Sequence, residues 1–195
     1  MATTKIQAAP QTANRSFSAG SVISAIGRWI VRNRIYLIAF AIPAVLTYLA
    51  YALFGLYPFG EESVLCLDLN GQYVYYFEAL RDAFWGDGSI FYNWSRNLSG
   101  EFMGIIGYYL ASPFTLIVML LPEKFMLSSL LIMQLCKLGA AGATFNYFLQ
   151  KRRGVQPYPS LLFSTMYAMM AYGVIQLIDP MWLDGLVFLP LIMLG

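Results

Sequence analysis

Asp68 is the residue best placed to do chemistry. It lies in Leu67-Asp-Leu-Asn-Gly-Gln-Tyr73, early in a long acidic and aromatic stretch that follows one apolar run. An acid just before a helix start meets exposed backbone N–H groups and the positive end of the helix dipole, and both favour anions. The position suits a carboxylate that works as a general base or holds a divalent cation. The plain alternative is a loop acid that caps a helix. Asp184, in Asp179-Pro-Met-Trp-Leu-Asp184, stands at the outer start of a later apolar run. It is either an ordinary N-terminal charge or a second active-site acid. Two acids converging from separate segments would bind Mg2+ or Mn2+ through oxygen ligands. Asn70, Gln72 and Tyr73 beside Asp68, and Trp182 beside Asp184, are the neighbours expected to contact a substrate.

Two cations matter next. Arg81 and Arg96 are the only bases between residues 57 and 103. A lipid-phosphate donor needs a cation against its phosphate. Arg96, in Asn93-Trp-Ser-Arg-Asn-Leu-Ser-Gly-Glu101, is the candidate, with a structural pair to a nearby acid as the alternative. Lys137 lies near the middle of an apolar run. A charge at that depth faces the protein interior or a water-filled cavity. No acid within the apolar runs is expected to pair with it, so its partner is sought in a part of the protein beyond this chain.

The elements that must hold these residues follow from composition. The chain of 195 residues is 59% hydrophobic and only 11% charged, and its mean hydropathy is +0.61. The apolar residues form long runs, which implies an all-α, multi-pass membrane protein. There is no histidine, which excludes imidazole catalysis and the commonest metal ligand. Cys66 and Cys136 fit no metal or disulfide spacing. A net charge of +2 with no basic stripe gives no footprint for nucleic acid.

Residues 1–16 read as a disordered tail. Residues 17–34 place Val22, Ile23, Ile26, Trp29 and Ile30 at helical spacing beside three arginines, which suggests an interfacial helix or an extension of the first span. Residues 35–56 are that span. Lys5, Arg15, Arg28, Arg32 and Arg34 precede it with no acid, so the N-terminus is expected in the cytoplasm. Residues 57–124 are then an outer loop. Within it Tyr73, Tyr76, Phe77, Leu80 and Phe84 recur at helical spacing, predicting a surface-lying helix with its aromatic face among lipid headgroups. Asn70 is the expected N-cap, and Gly86-Asp-Gly88 the stop. Segment 104–121 contains Pro113 and is expected to be re-entrant or surface-lying. Spans are expected at 125–150, which ends on Lys151-Arg-Arg153, at 158–178, and from 185 through 195. Gly139 to Ala143 form a small-residue surface for close helix packing. The chain stops inside an apolar run, and a longer protein is expected.

Five stretches together resemble the YfhO family of bacterial membrane proteins. They are Asp68-Leu-Asn-Gly-Gln-Tyr73, Trp94-Ser-Arg-Asn-Leu-Ser-Gly100, Tyr108-Tyr-Leu-Ala-Ser-Pro-Phe114, Leu135-Cys-Lys-Leu-Gly139 and Met181-Trp-Leu-Asp184. The resemblance implies a GT-C-like glycosyltransferase fold. It implies a sugar taken from a polyprenyl-phosphate carrier on the outer face of the membrane and given to a cell-envelope polymer such as lipoteichoic acid. In that picture Asp68 matches the acid of the first outer loop, and Asp184 resembles a second acid at a later helix start. Arg96 would neutralise the leaving lipid phosphate. A transporter or flippase subunit and a non-catalytic scaffold are the alternatives. The first calls for ionisable groups or broken helices at the midplane, and the second leaves Asp68 freely replaceable.

Overall fold

The computed structural model describes residues 19–95 and 100–195. The expected tail at residues 1–16, Arg96 and its neighbours through Ser99 lie outside them. The chain divides into two compact units, Met1–Arg34 and Ile35–Gly195. Helix α1 covers Ala19–Leu53, so the expected interfacial helix and first span belong to one helix of 35 residues. In its first part Ile23, Ile26, Trp29 and Ile30 are all exposed.

Within the second unit the chain leaves α1 and makes a π-type turn at Leu69–Tyr73. This runs directly into α2, Val74–Trp85, which stops at an extended Gly86. A two-residue ribbon follows, β1 (Tyr92–Asn93) paired antiparallel with β2 (Gly100–Glu101). Next come α3 at Met103–Ile105, a second π-type turn at Ile106–Leu110, and α4 at Thr115–Leu120. Helix α5 is long, Met126–Arg153, and ends at Gly154 in the left-handed conformation (φ 61°) after three basic residues in its last turn. The remaining elements are α6 (Pro157–Ala168), α7 (Ala171–Ile175) and α8 (Pro180–Ile192). Two helices, Val22–Leu53 and Glu123–Arg153, are long and apolar enough to cross a membrane.

Helix α5 is the axis of the second unit, packing most extensively on α6 and α8. Its first half closes one core with the loop region, where Leu130 and Met133 meet Leu69, Tyr73, Phe77, Leu80, Phe102 and Val118. Its middle closes another, where Leu138 and Ala141 meet Ala168, Leu183, Leu186 and Val187. Buried Asn146 donates to Ser160 Oγ (2.9 Å) and joins α5 to α6. Such polar contacts hold helices together where lipid supplies no hydrophobic drive.

Several expectations are corrected. Tyr73, Phe77 and Leu80 do share a face, but it is buried in protein rather than laid among headgroups. The periodicity identifies an apolar face and cannot say whether protein or lipid covers it. Of that set, Phe84 remains 61% exposed. Asn70 lies inside the first π-type turn and is no N-cap, because the helical segment begins at Leu69. Segment 104–121, expected to be re-entrant or surface-lying, is two short pieces broken across Ala111–Phe114, which leaves that expectation uncorrected. Segment 158–178 is likewise broken, between Ala168 and Ala171. The last helix starts at Pro180, five residues earlier than expected, because an Asp-Pro pair supplies its N-cap and first position.

The small-residue surface of α5 meets α1 at a defined point. Pro43 has no N–H, so it leaves the carbonyl of Ala39, four residues back, without its helical partner. Gly142 faces that carbonyl, and a Cβ there would lie 2.5 Å from Ala39 O and 3.0 Å from Pro43. Gly142→Ala should therefore destabilise the protein by about 1–3 kcal/mol through overpacking. Gly185→Ala, where a Cβ meets nothing within 4 Å, should be neutral or stabilising. Thermal unfolding of both variants in detergent checks the contrast.

Candidate functional site

The site begins with the backbone before Asp68. Leu67 adopts a left-handed conformation (φ 47°) although it carries a side chain, and that side chain is 74% exposed. Such residues are uncommon outside glycine and concentrate where the surroundings demand a particular aim. The turn delivers Asp68, half-buried, to the start of the helical segment. Its side chain makes no capping bond there. Instead Asp68 Oδ1 accepts a hydrogen bond from Gln72 Nε2 (3.0 Å), one turn on. Gln72 thus orients the carboxylate.

The acid beside Asp68 is Asp179. Asp179 is the N-cap residue of α8, and its carboxyl stands near enough to the Asp68 carboxyl and the Tyr73 hydroxyl for both to act on its charge. Burial pushes the Asp179 carboxyl above the usual carboxylate range, and the adjacent Asp68 pushes it the same way, while Tyr73 opposes them. Tyr73 is fully buried, and its hydroxyl is the one buried side-chain polar atom among the described residues without a hydrogen bond of regular geometry. Burial and then the Asp179 charge hold its phenol above its ordinary value, so at neutral pH it keeps its proton beside the acids. Tyr109 packs edge-on against Tyr73 with ring centroids 5.5 Å apart. Its phenol is also pushed up, by burial and then by Tyr76.

Helix α5 places Asp179 there. Gln134 and Lys137, three residues apart on one helix face, grip the turn on both sides of it. Gln134 Nε2 donates to Leu177 O (2.7 Å), and Gln134 Oε1 in turn accepts from Tyr51 of α1 (3.1 Å). Lys137 Nζ donates to Pro180 O (2.8 Å) and pairs with Asp184 Oδ1 (2.9 Å). That same oxygen accepts from Ser112 Oγ (3.0 Å). The Phe114 ring lies 5.5 Å from the ammonium.

This corrects two expectations. Lys137 has its acid within the chain, and that acid is Asp184. Asp184 is not at the mouth of its helix but one turn inside α8, where its carboxylate is taken up by Lys137 and Ser112. The acid that stands beside Asp68 is Asp179, in the same short stretch. The Asp-Pro pair was the available signal, because it marks a helix N-cap and so turns Asp184 inward. Of the other candidates, Gln72 and Tyr73 belong to the site, and Asn70 is exposed on the turn beside it. Trp182 is 47% exposed, and its N–H closes the first turn of α8 on Asp179 O (3.0 Å). Arg81 is directed at backbone, its Nη1 donating to the carbonyls of Val118 (2.7 Å), Met119 (3.2 Å) and Leu121 at the end of α4.

Long apolar helices around a partly buried acid pair define a helical membrane protein with a polar site built from loop and helix termini. A family model described as bacterial membrane protein YfhO matches residues 39–195, and the chain belongs to that family. No curated protein and no solved structure matches the chain.

Two outcomes follow. Lys137→Met leaves the half-buried Asp184 without its cation and should cost about 3 kcal/mol, the lower end for breaking a buried pair. Lys137→Met combined with Asp184→Leu should recover part of that loss, as measured by unfolding in detergent. The raised Asp179 carboxyl means the native protein keeps a proton that the unfolded chain has lost. Its effect on stability is therefore unfavourable and grows as pH rises above the ordinary carboxylate range toward the raised native value. Asp179→Asn should raise Tm at neutral pH and change it little at the acid end. An equal shift at both ends would count against the acid pair.

Proposed function

We propose that this chain carries the acid site of a membrane glycosyltransferase. The enzyme would move a sugar from a polyprenyl-phosphate carrier to a cell-envelope acceptor, such as lipoteichoic acid, on the outer face of a bacterial membrane. The observation that carries the reading is the Asp68–Asp179 pair beside the buried, unpartnered Tyr73 hydroxyl. A scaffold has no need of two adjacent carboxyls, because their repulsion opposes folding. In the proposed reaction the Asp68 carboxylate, oriented by Gln72, takes the proton of an acceptor hydroxyl. The acceptor oxygen then bonds to the anomeric carbon as the bond from that carbon to the lipid-phosphate oxygen breaks, with inversion. Asp179, whose carboxyl is held above the usual carboxylate range, stands ready with Tyr73 to share the proton that Asp68 takes up.

A divalent cation fits the donor set. Asp68 and Asp179 offer hard carboxylate oxygens, and the Tyr73 hydroxyl is a third oxygen beside them. Among the described residues no cluster of three His, Cys, Asp or Glu exists. Mg2+ or Mn2+ would therefore rest on these two carboxylates and complete its shell with water or substrate phosphate, as Mg2+ commonly does. When bound, it would neutralise charge between the acids and the lipid phosphate. The metal role sketched for Asp184 passes to Asp179, because Lys137 already occupies the Asp184 carboxylate. Arg96 keeps its proposed role against the leaving phosphate, and the cytoplasmic N-terminus remains part of the proposal.

The internal pairing of Lys137 weakens the transport alternative, since that charge is spent on holding α8. The proposal is checked by assaying sugar transfer in membranes from a polyprenyl-phosphate donor in the full-length protein. Asp68→Asn and Asp179→Asn should each lower the rate by roughly a hundredfold or more at normal expression, in line with loss of a general base or its partner. Asp184→Asn should act chiefly by lowering the amount of folded protein. Full transfer with Asp68→Asn would sink the mechanism.

A further inference from the structure

A groove of about 480 Å3 runs between the last turns of α5 and α6, within the size range of small-molecule sites. Its lining is apolar: Phe145 and Leu149 of α5, Val155 of the turn, and Phe163, Met166 and Tyr167 of α6. Phe163 and Met166 are 50% and 60% exposed, so the groove opens outward. Its inner wall is fixed. Phe145 and Tyr167 stack with ring centroids 4.1 Å apart, and the Tyr167 hydroxyl donates to Leu186 O of α8 (3.0 Å). The bond from Asn146 to Ser160 sets the spacing of the two helices.

One end of the groove carries charge of a single sign. Phe145, Leu149 and Arg152 follow one another at spacings of four and three residues, and Arg153 stands four beyond Leu149, so both arginines continue the face of α5 that lines the groove. Left-handed Gly154 ends the helix, and the N–H of Val155 returns to Leu149 O (3.2 Å), which folds the turn against the same face. Lys151 belongs to another face, its ammonium 5.9 Å from the Tyr147 ring. Arg152 and Arg153 are exposed, and among the described residues the one ion pair is that of Lys137 and Asp184. No Asp or Glu occurs from Lys124 through Ile178, so neither α5 nor α6 supplies a carboxylate to balance them. The groove is also remote from the acid site, since Arg152 lies about 22 Å beyond Lys137 along α5 at the rise of a helix.

We propose that this groove holds an acyl chain of an anionic glycerophospholipid, with the lipid phosphate against Arg152 and Arg153. An acyl chain needs an apolar slot with no polar group to desolvate, and guanidinium groups are suited to a phosphate because they offer it paired N–H donors. The two requirements meet at one place here. A protein helix laid in the same groove would leave both guanidinium groups unanswered unless it brought acids of its own. The charge also selects among lipids, favouring an anionic headgroup over a zwitterionic one. This goes beyond the transfer chemistry proposed for the acid pair and stands on the groove and its arginines alone.

The test uses the full-length protein in detergent, with defined lipids added and their retention read by native mass spectrometry. Phosphatidylglycerol should bind at least about tenfold more tightly than phosphatidylcholine of the same chains. Arg152→Gln with Arg153→Gln should remove most of that preference. Leu149→Trp, and Met166→Trp at an exposed position, fill the groove without touching the charge, and each should weaken phosphatidylglycerol binding about tenfold. Glycerol 3-phosphate, which has the phosphate and no chain, should not displace the lipid. In membranes, a photo-crosslinking benzoylphenylalanine in place of Met166 should capture lipid. Equal binding of the two lipids would overturn the proposal. So would a charge preference that the groove-filling variants keep in full, which would mean surface attraction alone. Capture of another segment of the protein or of a second copy at position 166 would overturn it as well, and tighter binding of a polyprenyl phosphate than of phosphatidylglycerol would make the groove a carrier site instead.

Discussion

The arrangement depends on one buried charge. Lys137 sits in the middle of α5 and is 1% exposed. An ammonium at that depth is tolerable only with a counter-charge and with its remaining protons satisfied. Asp184 supplies the charge and Pro180 O a further acceptor. Both belong to α8, so meeting the needs of Lys137 fixes where that helix starts. The start of α8 is where Asp179 sits. A requirement of electrostatics in one helix thus becomes the placement of a carboxyl at the start of another.

The opposite logic governs the acid pair. Asp68 and Asp179 gain nothing from each other, and burial adds to the penalty on Asp179. They stay together because separate constraints aim each of them. The left-handed Leu67 and the π-type turn aim Asp68, and the grip of Gln134 and Lys137 aims Asp179. Stability given up locally and restored by surrounding structure is the usual mark of a functional site. The buried Tyr73 hydroxyl, with no regular hydrogen bond, belongs to the same pattern.

What could be read from the sequence was local. Helix α2 was visible because Tyr73, Phe77 and Leu80 repeat at helical spacing, and its end because Gly86 breaks it. The span on α5 was visible from its length and its closing Lys151-Arg-Arg153. The place of Asp68 at a helix start followed from an acid ahead of a helical pattern, and the family from five ordered stretches. The partnerships were not visible. Which acid answers Lys137, and which stands beside Asp68, depends on how α5 and α8 pack, and Asp179 and Asp184 are too close in sequence for spacing alone to choose. Whether the apolar face of α2 meets protein or lipid is likewise a property of the packed molecule. The break at Ala111–Phe114 was signalled by Pro113, whereas the one after Ala168 falls at Met169 and Met170, where no proline or glycine marks it.

The measurement that bears most directly on this account is a cross-link between the two acid positions. Cys66 and Cys136 are replaced by serine, Asp68→Cys and Asp179→Cys are introduced together, and a short bifunctional thiol reagent is applied in membranes. The account predicts rapid cross-linking with Lys137 intact and a marked loss of it when Lys137→Met is added. Failure to cross-link with Lys137 present, or cross-linking indifferent to its removal, would contradict the claim that the buried ion pair sets the site.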